Sequence, residues 1–277
     1  MNLPLVSIII PVYNTGVSAK SLAEKLSQDK YKNLEIILVD DGSEDDSLKL
    51  LKSLNNPEIK LFSKKNGGAS SARNLGIRKS KGDYLIFIDS DDDVAASFIS
   101  ELVEAISRND VSLATTSVRY KKLNKNTTED VYLTPFPQKA NESLEEFVLR
   151  SLLYDGRMYP VFNKIFRADV IRKNNLLFDE SLKFAEDTKF VLDYLKRAKG
   201  NIEFITKPLY IYKYGTETSS VVRLNGSWSN WAQSYNNLEK FVGENPTIRV
   251  KILLRLIKLR WRISWFRAKR QNGKEYK

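Results

Sequence analysis

The sequence predicts an α/β fold, a mostly parallel sheet flanked by helices, followed by a C-terminal helical extension. Three observations carry this. Short β-branched runs alternate with segments of helical period through the first 115 residues. Polar clusters fall directly after the apolar runs, where open α/β sheets gather their ligands. The excess charge is confined to one end of the chain.

Val6–Val12 is rich in β-branched residues and reads as a strand buried on both faces. Residues 18–28 follow with Ala19, Leu22, Ala23 and Leu26 at helical spacing. Residues 34–39 (strand), 46–54 (helix), 59–62 (strand) and 69–79 (helix) repeat the pattern. Residues 84–88 (strand), 95–107 (helix) and 111–115 (strand) complete it. Regular alternation of this kind implies right-handed crossovers and parallel neighbours. The middle of the chain is less regular. Residues 117–138 read as a loop or edge hairpin, and 142–154 as a helix opened by Asn141 as N-cap. Residues 169–174 and 186–199 read as helices, and 202–205 and 209–214 as two separate strands.

Composition narrows the chemistry. The 277 residues, 42% hydrophobic and 29% charged, suit a globular chain with a substantial core, which excludes wholesale disorder. There is no Cys and no His. Disulfides, zinc-thiolate sites and Ser-His-Asp or Cys-His catalysis are thereby excluded, and any base or metal ligand must be a carboxylate. The net charge is +11, but residues 247–277 hold 11 Lys or Arg against the single acidic Glu275. The body is near neutral, which argues against a general nucleic-acid surface. The first 13 residues lack a basic n-region and a cleavage site, and no apolar run approaches the roughly 20 residues of a spanning helix. The expectation is a cytoplasmic protein, peripheral on the inner face of a membrane.

Four strand ends carry polar clusters. Pro11-Val12-Tyr13-Asn14 follows the first. Asp40-Asp41-Gly42-Ser43 follows the second, either as acceptors for a base or ribose or as a capped turn. Asn66-Gly67-Gly68-Ala69-Ser70-Ser71-Ala72-Arg73-Asn74 follows the third; paired glycines ahead of a helix leave backbone N–H groups for an anion. It is neither a Walker A loop nor a dinucleotide fingerprint. Asp89-Ser90-Asp91-Asp92-Asp93 follows the fourth. Four carboxylates in five residues suit a hard divalent cation with a bound diphosphate, or else a solvated helix-capping loop.

In this order and spacing, Ser-Ile-Ile-Ile-Pro-Val-Tyr-Asn, Glu-Ile-Ile-Leu-Val-Asp-Asp-Gly-Ser, Gly-Gly-Ala-Ser-Ser-Ala-Arg-Asn-Leu-Gly and Gly-Asp-Tyr-Leu-Ile-Phe-Ile-Asp-Ser-Asp-Asp resemble glycosyltransferase family 2 over roughly residues 5–215. The resemblance implies the GT-A fold, a UDP-sugar donor, a divalent cation (Mn²⁺ or Mg²⁺) and transfer with inversion. It implies a transferase unit over residues 1–222, with a nucleotide-sugar half (1–115) and an acceptor half (116–222), and an extension over 223–277. It places Pro11 and Tyr13 at the uracil, Asp41 on its N–H, Arg73 near base and diphosphate, Asp89 towards the ribose and Asp91 on the cation, with Asp92 its neighbour. Glu186-Asp187 opens a helix, whose N-terminus favours the carboxylate form. It matches the family's Glu-Asp motif, which implies Asp187 as base and Glu186 as orienter of the acceptor. Asn163-Lys164-Ile165-Phe166 resembles an Asn-Lys-Leu-Tyr element, although a structural strand explains it as well.

Two features depart from the wider pattern. The late His that completes some GT-A metal sites is absent. The Gln-x-x-Arg-Trp of processive members is broken, since Ile257 precedes Arg260-Trp261, so single addition is expected. Lys213 and Arg223 flank a polar loop able to close over the diphosphate or simply to lie at the surface. A nucleotidyltransferase or an inactive nucleotide- or glycan-binding protein are the alternatives.

Asn245-Pro246 starts a basic amphipathic helix over 247–270. At about 100° per residue it shows two apolar faces between basic stripes. One holds Val250, Leu253, Leu254, Ile257, Trp261 and Trp265; the other holds Ile252, Leu256, Leu259, Ile263 and Phe266. A helix packed only on its own domain needs one. The expected partners are the UDP-sugar, a glycan or glycolipid acceptor and an anionic membrane surface; packing on the body with a solvated basic face and a homo-oligomer contact are the other readings of the helix.

Overall fold

A computed structural model describes residues 3–123, 127–131, 139, 141–154, 160–182, 184–215 and 228–272. The chain runs β1 (Val6–Val12), α1 (Gly16–Ser27), β2 (Leu34–Asp40), α2 (Ser47–Lys52), β3 (Ile59–Ser63), α3 (Ala69–Lys79), β4 (Tyr84–Phe87), β5 (Asp93–Val94) and α4 (Phe98–Ile106). It continues through β6 (Val111–Lys122), β7 (Thr127–Val131), α5 (Leu144–Tyr154), β8 (Lys164–Arg167), α6 (Ala168–Lys173), α7 (Glu186–Leu195), β9 (Asn201–Tyr214), α8 (Trp228–Val242) and α9 (Ile248–Asn272).

The sheet has the order β3-β2-β1-β4-β8-β6-β9-β5, with β7 paired to β6. Strands β1 to β4 are mutually parallel as neighbours, Val12 lying beside Asp40 and Ile9 beside Phe87. The late strand β8 enters antiparallel between β4 and β6. Its N-terminal end therefore lies beside the carboxyl end of β4. Consecutive side chains of β1 serve opposite layers, as the two-residue period requires. Ile8 and Ile10 pack with Leu22, Leu26 and Leu102 on one face, while Ile9 joins Ala72, Phe87, Phe166 and Phe190 on the other. Helix α3 comes so close to the sheet that a Cβ on Gly76 would lie 2.4 Å from Ile9 Cγ2.

Three expectations are revised, and of the two readings of residues 117–138 the edge hairpin holds where they are described. Strand β6 runs on to Lys122, and β7 (Thr127–Val131) pairs antiparallel with it; residues 124–126 and 132–138 lie outside the described set. The two late strands are one, β9. Pro208 has no N–H to give a ladder, and register shifts at Thr116–Val118 absorb the extra residues. Residues 93–94 form a short strand against Ile211 and Tyr210, so α4 starts at Phe98 rather than Ala95. The N-cap of α5 is Ser143, whose Oγ accepts the Glu146 N–H at 3.2 Å, whereas Asn141 takes a left-handed turn at φ 66°.

Candidate active site

The carboxyl ends of β1, β2 and β4 and the start of β8 meet along one edge of the sheet. Past β1, Asn14 adopts φ 54°, a conformation asparagine tolerates better than most residues. Its N–H donates to Ser43 Oγ at 3.0 Å and its Oδ1 accepts the Glu44 N–H at 2.9 Å. Thr15 and Ser90 share a hydroxyl hydrogen bond of 2.7 Å, tying the β1 loop to the acidic loop. Pro11 is half-buried and Tyr13 is 44% exposed at this edge.

Asp41 stands just past β2 and is almost fully buried. Its carboxylate accepts the Gly67 N–H at 3.1 Å, the Gly68 N–H at 2.6 Å and Lys64 Nζ at 2.7 Å. The anion on the paired glycines is thus a side chain of the protein itself. Gly68, at φ 86°, supplies the turn that aims both N–H groups at it.

Arg73, one turn into α3 and only 4% exposed, is the hub of the edge. Its Nη2 donates to Asp89 Oδ1 at 2.7 Å and its Nη1 to Asp187 Oδ1 at 2.9 Å, with Glu186 Oε1 3.9 Å away. The guanidinium lies 5.3 Å from the Phe178 ring centroid, and Phe178 stacks on Phe190 of α7 at 4.1 Å. Burial opposes the charged guanidinium, but the carboxylates of Asp187, Asp89 and Glu186 outweigh it and raise its pKa.

Glu186 and Asp187 occupy the first turn of α7, behind Ala185 at φ 59°. A left-handed alanine is uncommon, and such strain gathers where neighbours over-determine the backbone. Here the Ala185 carbonyl accepts the Lys189 N–H at 3.0 Å and Asn237 Nδ2 at 3.3 Å. Asp187 is pushed up to about 7. Burial is the largest cause; Arg73 acts against it, while Glu186 and Asp89 add to it. A carboxylate titrating there is suited to taking a proton near neutrality.

The acidic loop divides its carboxylates. Asp91 is exposed, with Lys213 among the charges near it, and its pKa is raised by the protein crowding it and by Asp89. Asp92 turns inward. It accepts the Tyr210 hydroxyl at 2.6 Å and the Lys213 N–H at 2.8 Å, and is 3% exposed. Asp93 pairs with Lys25 at 2.6 Å. Beside Asp91 opens a cleft of about 640 Å³, lined by Asn14, Thr15, Ser18, Asp45 and Lys213 among others. Among the described residues no three carboxylates converge as a metal cage. The donor set still fits a hard cation, since Asp91 offers oxygen at the cleft while Asp89 and Asp92 are otherwise engaged.

The structure therefore brings Arg73, Asp89, Glu186 and Asp187 together, sets Asp91 at the adjoining cleft, and turns Asp41 and Asp92 onto protein partners. Arg223 lies outside the described residues. Asn163 and Lys164 are fully buried; Lys164 Nζ donates to the Pro160 carbonyl at 2.7 Å and to Asn163 Oδ1 at 2.8 Å. Trp261 packs on Tyr235 with ring centroids 6.5 Å apart. Sequence reasoning assigned no role to Phe178, Tyr210 or Asn74. Asn74 Nδ2 and Oδ1 clasp the backbone of Phe178 at 2.9 and 2.8 Å, and only its place beside Arg73 hinted at this.

The fold matches solved glycosyltransferase structures. S. aureus TarS 1–349 in complex with UDP-GlcNAc gives a TM-score of 0.69 at 20% identity over 90% of this chain and 70% of that one. The mannosyltransferase PcManGT of Pyrobaculum calidifontis in complex with GDP-Man and Mn²⁺ gives 0.62 at 16% identity, over 92% and 69%. The architecture is the GT-A fold. The family model "Glycosyl transferase family 2" matches residues 7–174, and the chain belongs to that family. It is 31% identical over 217 residues to the uncharacterized glycosyltransferase EpsJ of Bacillus subtilis (strain 168), covering 76% of this chain and 61% of that protein.

Proposed function

We propose that the protein is an inverting, metal-dependent glycosyltransferase that adds a single sugar from a UDP-sugar to a hydroxyl of a lipid-linked cell-surface glycan. The observation that carries this reading is the buried Arg73, which holds Asp187 at 2.9 Å and Asp89 at 2.7 Å in one network. It places the carboxylate assigned as base in one network with the one assigned to the nucleotide, so that donor and acceptor would meet at a single site. The UDP-GlcNAc in the TarS structure and the GDP-Man and Mn²⁺ in the mannosyltransferase agree with a nucleotide-sugar donor and a divalent cation.

In this reading Tyr13 and Pro11 receive the base, Asp41 braces the loop that backs it, and Asp89 and Arg73 face the ribose and diphosphate. Asp91 would hold the cation, and Asp92 holds the loop in place through Tyr210 and β9. When bound, the cation neutralises charge building on the leaving diphosphate. Asp187 takes the proton from the acceptor hydroxyl as its oxygen bonds to the anomeric carbon. The bond from that carbon to the diphosphate oxygen breaks with its electron pair, and UDP departs from the opposite face. Glu186 orients the acceptor beside Asp187. The protein works at the inner face of the membrane; among the described residues no helix is long and apolar enough to cross it.

The test is release of nucleotide from a panel of nucleotide sugars, with and without Mn²⁺, in wild type, Asp91→Asn and Asp187→Asn. Asp91→Asn is expected to lose metal-dependent turnover. Asp187→Asn is expected to bind nucleotide and fail to transfer; full transfer by that variant refutes the assignment of the base.

A further inference from the structure

Helix α9 has one face on the body and one in solvent. Val250, Leu254 and Ile257 are buried, and Leu253 and Trp261 pack against the same layer. Ile248, Ile252, Leu256, Leu259 and Ile263 are between 43% and 70% exposed. At about 100° per residue these five fall within an arc of about 80°, opposite the buried face. Lys251 and Arg255 border the arc on one side and Arg249 on the other, all three exposed. None is paired with a carboxylate among the described residues. A contiguous apolar stripe of this kind on a soluble surface marks a contact site.

We propose that this outer face of α9 seats the protein on an anionic lipid surface, the five aliphatic side chains entering the acyl boundary and the flanking Lys and Arg reaching the headgroups. Charge selects this occupant. A second copy docked through the same face would set basic flank against basic flank, and Glu275 is the only acidic residue after position 246. Anionic headgroups supply the counter-charge that a second copy lacks. The inference deepens the reading of a membrane-side enzyme and rests on it only for the whereabouts of the acceptor.

Full-length protein is sedimented with vesicles of phosphatidylcholine alone and of phosphatidylcholine mixed with phosphatidylglycerol. Wild type is expected to pellet with the mixed vesicles only. Lys251→Gln with Arg255→Gln should weaken pelleting by about fivefold per charge, hence about 25-fold. Ile252→Ser with Leu256→Ser and Leu259→Ser should abolish it, while helical circular dichroism and vesicle-free donor hydrolysis stay at wild-type levels. Wild type that stays in the supernatant with mixed vesicles, or variants that pellet as wild type does, overturn the proposal. So does a wild-type dimer that the triple serine variant dissolves and vesicles do not bind. Loss of donor hydrolysis with pelleting intact counts instead against the transfer reaction.

Discussion

The acid limb of transfer should report the Asp187 carboxyl and move in opposite directions when two of its charged neighbours, Arg73 and Glu186, are removed in turn. Asp187 is pushed up to about 7, so kcat/KM should rise about tenfold per pH unit below that value and level off above it. Arg73 Nη1 lies 2.9 Å from Asp187 Oδ1. Opposite charges at about 4 Å attract by about 1 kcal/mol in water and about 4 kcal/mol at an effective dielectric of 20. One pKa unit corresponds to about 1.4 kcal/mol. Arg73→Gln removes a cation that favours the carboxylate, so the limb should rise by about one to three units. Glu186→Gln removes a like charge, so the limb should fall. The assay is initial-rate nucleotide release at subsaturating donor across pH. The amplitude will drop in Arg73→Gln, which also loses Asp89, but the position of the limb is read independently of amplitude. Asp187→Asn should lose the limb and about 10²–10⁴ of the rate. Shifts of the same sign in both variants, or no shift in either, would refute the assignment.

The remaining predictions concern stability, each read by urea or thermal unfolding. Asp41→Ala leaves the Gly67 and Gly68 N–H groups and Lys64 without their buried acceptor, and should cost about 1–3 kcal/mol. Gly76→Ala drives a methyl into Ile9 and should cost about 1–3 kcal/mol through overpacking of α3 on the sheet. Ala185→Gly relieves a left-handed alanine and should stabilise α7 by up to about 1 kcal/mol; a fall in stability would show that Ala185 is not strained.

Much of the fold was legible because its signals are local. Apart from β5 and the start of α4, the strand and helix series of the first 107 residues follows from apolar period alone, and α3 begins and ends where the pattern puts it. The strand-end clusters were legible for the same reason, since parallel strands with right-handed crossovers leave their carboxyl ends on one edge. Partners were not legible. The paired glycines advertised an anion site, yet the anion is Asp41, 26 residues away along the chain. Asp91 and Asp92 are adjacent, so composition treats them alike. Asp92 is drawn inward because Tyr210, 118 residues on, offers a hydroxyl there. The fusion of two late strands into β9 depends on a bulge in β9 around Pro208, opposite Ser117 of β6, that no local rule encodes.

The concentrated charge shows the same division. Residue order alone gives α9 two apolar faces between basic flanks, because helical geometry sorts residues by angle wherever the helix lies. Which face goes to the core is settled by packing: the body offers one apolar layer, which takes Val250, Leu254 and Ile257 and leaves Ile252, Leu256 and Leu259 outside. In the site, likewise, the sequence determined an all-carboxylate chemistry, having neither His nor Cys. The tertiary structure decided which carboxylates act together. Burying one guanidinium requires compensating charge from several directions, and that requirement draws Asp89 and Asp187 to Arg73 from distant parts of the chain.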